Sequence, residues 1–155
     1  MASFRDIDDA ATSEREAAEQ KRKADKIAEG ERQKRNLKDG EEWLRRLPLP
    51  ILKRAKEELA GRYSVEFSED FTGTSSVSSG APTVSYTIEP IGGSRYRALP
   101  HYVFADQHRK VKCIAYSMYD ERGPRHVFDG NIDDITEADF EKHIADLLRW
   151  WVKNR

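Results

Sequence analysis

Ile135–Lys153, ITEADFEKHIADLLRWWVK, is the stretch whose reading decides the fold. Thr136 stands at an N-cap position with Asp139 three residues on, so the two side chains can satisfy free N–H groups at a helix start. Ile135 and Phe140 flank the cap at hydrophobic-staple spacing. Glu137 and Asp139 load the first turn with negative charge, and Arg149 and Lys153 load the last with positive charge, as the helix dipole prefers. Phe140, Ile144, Leu147, Leu148 and Trp151 recur along one stripe. A helix with so much apolar surface on one side needs a sheet to cover.

The sheet lies upstream, where the period changes to two. Tyr63, Val65 and Phe67 alternate with Ser64, Glu66 and Ser68, and Val84, Tyr86 and Ile88 alternate with Ser85, Thr87 and Glu89. Such alternation predicts half-buried antiparallel strands. Thr72–Pro82, TGTSSVSSGAP, is a Ser/Gly-rich connecting loop, and Gly92-Gly93 marks a turn. Arg95–Ala98 with Tyr102–Asp106 reads as one strand interrupted at Pro100. Val111–Tyr119 is apolar on both faces and is expected to lie inside the sheet. Asp120–Gly123 turns into a last strand, Arg125–Asp129. The expected fold is α+β: an antiparallel meander of four to five strands covered by the C-terminal helix.

Two helical segments precede the sheet. Glu41–Leu47, with Trp43, Leu44 and Leu47, and the segment from Pro50, with Ile51, Leu52, Ala55 and Leu59, form a short helical junction ending at Gly61. Before it, Ser13 with Glu16 makes a capping-box pattern, and one charged helix is expected to run to Lys38, where Asp39-Gly40 breaks it. The chain therefore divides into a helical arm, residues 1–40, and an α+β domain, residues 41–155. Within the latter, 41–61 is the junction, 62–130 the sheet and 136–153 the C-terminal helix.

The arm is thinly apolar, mostly alanine, so burial within the domain does not account for it. Its charge is polarised: residues 1–20 hold six acids and two bases, residues 21–38 eight bases and three acids. Alanines near sevenfold spacing suggest a helix-pairing seam, interrupted by Glu14, Glu31 and Lys34. Phe4, Ile7 and Ala11 form a short amphipathic anchor at its tip. Lys21, Arg22, Lys23, Lys26, Lys34 and Arg35 are candidate phosphate contacts, but no aromatic residues interleave with them for base stacking.

Of the 155 residues, 37% are apolar and 35% charged, with a net charge of −1, which argues against binding nucleic acid or membrane by bulk charge. Cys113 is the only cysteine, excluding an intrachain disulfide and pointing to a reducing, cytoplasmic setting. No apolar run approaches a membrane span, and MASFRDIDD lacks the hydrophobic stretch of a signal peptide.

Motifs that would carry catalysis are missing: there is no GxSxG, phosphate loop or dinucleotide fingerprint. Asp129–Asp134 imitates the start of an EF-hand loop, but Asp134 replaces its turn glycine and Phe140 its bidentate glutamate, so turn and cap chemistry explains the cluster. His101, His108, His126 and His143 have no metal-ligand spacing. His101 and His126 can meet if their strands are neighbours, with Arg95, Arg97, Arg125 or Tyr119 nearby, a face suited to acid–base work on RNA. Cys113 reads as a core residue, and Trp150, off the main stripe, as packing or as an exposed partner anchor.

The reading that results is a non-enzymatic macromolecule-binding protein: a regulator, inhibitor or assembly adaptor. It binds a protein partner through its helical arm and an exposed sheet or helix surface, with Phe4, Ile7, Ala11 and Trp150 as candidate contacts, no catalytic residues, metal or cofactor, and homo-oligomerisation through the arm as an option. The alternative is a nucleic-acid binder using Lys21–Lys38. The third is a small-ligand or RNA-cleaving pocket on the sheet.

Overall fold

The structure, a computed structural model, describes residues 3–116 and 123–154. Eight elements follow in the order α1 (Phe4–Arg46), α2 (Pro48–Glu58), β1 (Tyr63–Asp70), β2 (Thr83–Pro90), β3 (His101–Ala105), β4 (Lys110–Ala115), β5 (Phe128–Asn131) and α3 (Glu137–Lys153). The five strands pair antiparallel in sequence order, β1-β2-β3-β4-β5. This is the α+β meander expected from the period-two segments.

Register sorts the side chains onto two faces. Val65 lies opposite Ile88, Phe67 opposite Tyr86, Val84 opposite Val103, Tyr86 opposite His101, Val103 opposite Cys113 and Cys113 opposite Phe128. These residues share the core side, where Phe140, Ile144, Leu147 and Trp151 of α3 are buried. The serines, threonines and lysines between them share the opposite side. Trp151 also donates its indole N–H to the Ile88 carbonyl at 2.9 Å, tying α3 to β2. The Thr136–Asp139 capping box forms as its spacing predicts, and its hydrogen bonds hold the Asp139 carboxyl below its ordinary range. Arg54 of α2 pairs with Glu141 of α3 at 2.6 Å.

Three expectations need correction. First, β3 begins at His101; Arg95–Leu99 is not strand, and Pro100, which has no N–H to give a ladder, immediately precedes the strand. Second, β4 is Lys110–Ala115 and β5 is Phe128–Asn131, shifted from the expected spans. Ser117–Tyr119 of the expected strand and the turn residues Asp120–Arg122 lie outside the described residues. Third, α1 begins at Phe4, capped by Ser3 and Asp6 rather than by Ser13 and Glu16, and it continues through Asp39-Gly40 to Arg46. Gly40 is buried, and a Cβ there would stand 2.7 Å from the Ala105 Cβ. Its glycine serves close approach of the helix to β3, not a helix stop. Next to it, Arg109, in the left-handed region at φ 63, reaches Asp39 at 2.5 Å and Asp133 at 2.8 Å, clamping α1 and the turn before α3.

The chain forms two compact units, Met1–Arg35 and Asn36–Arg155. The second contains the sheet, α2, α3 and the end of α1 that buries Trp43 and Leu44. The first is helix throughout its described part from Phe4 onward, held by local contacts such as Arg15–Glu19 at 3.5 Å and the Arg32–Glu29 pair. No helix among the described residues is long and apolar enough to cross a membrane.

Candidate functional site

Two features stand out: a histidine cluster inside the sheet-and-helix unit, and the surface of the arm. The cluster is assembled by β2, β3, β4, the segment before β5, and α3. Tyr86 and His101 stand opposite each other in the β2–β3 register, and Val103 bridges His101's strand to Cys113. α3 places His143 one turn after Phe140 on its buried face. His101 is 2% and His143 1% exposed, whereas His126 is half-buried.

Their polar atoms form a continuous chain. Tyr86 Oη contacts Cys113 Sγ at 3.3 Å and makes a short hydrogen bond with His143 Nε2. His143 Nδ1 lies 2.6 Å from His126 Nδ1, and His126 Nε2 lies 3.3 Å from Asp146 Oδ2. One proton arrangement satisfies every link with both rings neutral. Cys113 donates to Tyr86, Tyr86 donates to His143 Nε2, His143 Nδ1–H donates to His126, and His126 Nε2–H donates to Asp146. Asp146 also accepts from Arg149 at 2.8 Å. His101 fits the same scheme: its Nδ1–H donates to the Leu99 carbonyl at 2.9 Å, and its Nε2 accepts the His126 backbone N–H at 3.4 Å.

Burial sets the electrostatics. It pushes His143 down to about 3, aided by His101 and His126 nearby, and His101 down to about 4. It pushes the Cys113 thiol up to about 12 and the Tyr86 hydroxyl well above its ordinary value. At neutral pH the chain of groups is therefore uncharged from Cys113 to His143, and the thiol is no nucleophile. Phe128, Phe140 and Tyr86 close around the His143 ring at centroid distances of 5.0, 5.5 and 5.7 Å. Such surroundings suit a satisfied core network, which orients α3 on the sheet.

The expected meeting of His101 and His126 thus occurs, but on the covered side of the sheet rather than on an open catalytic face. Arg95 lies over the Tyr96 ring at 4.8 Å, and Arg125 is exposed, adding a small unfavourable field at His101; Tyr119 is outside the described residues. The sequence shows His143 only as a position on the C-terminal helix. Its spacing of three residues after Phe140 puts it on the same buried face. Among the described residues no group of three or more His, Cys, Asp or Glu side chains is placed to hold a metal ion.

Trp150 is half-buried, edge-on to Tyr96 at 5.2 Å and to Trp151 at 5.1 Å. On the arm, Phe4 is 92%, Ile7 54% and Ile27 65% exposed, and Ala11 is exposed with them. Lys21, Arg22, Lys23, Lys26, Lys34 and Arg35 are exposed as well, distributed around the helix. The fold and these two features define an α+β protein with a core histidine network and a solvated charged helix. No family model matches the chain, and no curated protein and no solved structure matches it either.

Proposed function

We propose that this is a macromolecule-binding protein, a regulator, inhibitor or assembly adaptor, whose arm Phe4–Arg35 docks a protein partner. The observation that carries the reading is that no described residue up to Arg35 is buried, although Phe4, Ile7 and Ile27 offer large apolar side chains. A helix without tertiary packing is marginal in water, so a chain that keeps one this long has a use for its surface. The histidine network argues against catalysis as the main role, because its nucleophile candidate is buried and protonated. A cytoplasmic setting accords with the single free thiol of Cys113.

The test measures binding of the full chain to a duplex nucleic-acid probe and to candidate proteins across a salt series. Protein binding that drops at least tenfold on Phe4→Ala with Ile7→Ala, with nucleic acid bound weakly or not at all near physiological salt, supports the reading. Tight nucleic-acid binding would overturn it, if its log–log salt slope is about −0.9 per phosphate contact and it is lost when Lys21, Arg22, Lys23 and Lys26 become glutamate.

A further inference from the structure

The arm's charges are sorted along its length, and the sorting names a partner. Residues 1–20 hold six acids against two bases; residues 21–35 hold seven bases against three acids. Two such helices side by side in parallel would set like charge on like over their whole length. Side by side antiparallel, the acidic half of each lies on the basic half of the other, and the match is made twice.

One face of the helix also carries some of the arm's apolar groups. Phe4, Ile7, Ala11, Ala18 and Ala28 fall at heptad steps and are all exposed. Glu14, Lys21, Asp25, Arg32 and Arg35 occupy the remaining heptad positions of this face. In a parallel pair each would meet its own kind across the seam, whereas in an antiparallel pair Glu14 lies level with the partner's basic half and Arg32 with its acidic half; Lys21, beside the axis, and Asp25 do not follow this pattern. Ala11, Ala18 and Ala28 are small enough to let two helix backbones approach closely where they fall on this face.

We infer that the arm's partner is a second copy of this chain, the two arms packing antiparallel about a two-fold axis near residue 20. This rests on the reading of the arm as the docking element. The interface is isologous, so one surface serves both copies and the pairing closes at two. Because the attraction is between solvated charges, it is screened by salt.

Sedimentation of the full chain tests this. A reversible dimer is expected at low salt, with a dissociation constant rising about tenfold or more between roughly 50 mM and 500 mM salt. Replacing Glu14→Lys, Glu16→Lys and Glu19→Lys should leave a monomer with an unchanged melting temperature. Adding Lys21→Glu, Arg22→Glu and Lys23→Glu to that variant exchanges the charge blocks and should restore the dimer. A spin label on Arg5→Cys reads the orientation, since the buried Cys113 thiol does not compete for it. Antiparallel arms place the two labels about 45 Å apart at 1.5 Å per residue, and parallel arms about 10 Å apart. A monomer at every concentration and salt, a label distance near 10 Å, or a dimer indifferent to both charge variants would overturn the inference. A monomer that still binds another protein through Phe4 and Ile7 would overturn self-pairing while leaving the docking reading intact.

Discussion

Two helices of this chain, the first 32 residues of α1 and the whole of α3, have the same local credentials and opposite fates. Each opens on a capping box, Ser3 with Asp6 and Thr136 with Asp139, and each is rich in charge. α3 buries Phe140, His143, Ile144, Leu147 and Trp151; the α1 segment buries nothing. Helix formation is thus a local matter of caps, ion pairs and propensity, whereas a helix's contribution to the fold depends on the width of its apolar stripe. The alanines of the arm are good helix formers that carry little surface to bury.

The largest test of this contrast is truncation on each helix. Trp151→Ala removes a buried indole and its hydrogen bond to Ile88, and should cost about 3–5 kcal/mol in urea unfolding. Ile27→Ala on the arm should change global stability by less than about 0.5 kcal/mol. Equal losses at the two sites would break the comparison.

Acid should act on the α3 side almost as strongly. His101 and His143 titrate at about 4 and about 3 in the fold, against 6.5 ordinarily. Between those values the unfolded chain binds protons that the folded chain refuses, so stability rises with pH. It is complete above about pH 6.5 and lost as pH falls, by on the order of 4 kcal/mol for the pair by pH 5. Groups facing the pair, His126, Asp146 and Arg125, shape the curve. Denaturant midpoints that stay flat from pH 7 to 5 would dismiss the neutral-network account.

A sharper version uses two glycines of one helix. Gly40→Ala pushes a methyl to 2.7 Å from the Ala105 Cβ and should destabilise the fold by about 1–3 kcal/mol. Gly30 has nothing within 4 Å of a new Cβ, so Gly30→Ala should raise helicity, worth about 1 kcal/mol locally, and leave the melting temperature alone. Circular dichroism melts of both variants decide it.

The smallest effect is kinetic access. In the monomer, trypsin should cut first between Lys21 and Arg35 and spare Arg45 and Arg46, which flank buried Leu44 and Leu47. First cleavage at Arg46 would mean that the end of α1 is as loosely held as its start.

What the sequence determined by itself was whatever is encoded over one helical turn or one strand pair. That covers the capped α3 with its stripe, the alternating β1 and β2, the meander implied by short turns, and the polar character of the arm. Tertiary structure alone decided the rest, because the partners are far apart along the chain. Asp39-Gly40 reads locally as a stop, yet the helix continues because Gly40 meets Ala105 and Asp39 meets Arg109. The start of β3 at His101 depends on pairing with Tyr86, not on the alternation around Arg95. His143 looks like any helix histidine until the fold brings Tyr86, His126 and Cys113 around it from three other segments. Burial there sets their protonation, and burial is a property of the assembled core, which no spacing of four histidines along a chain can express.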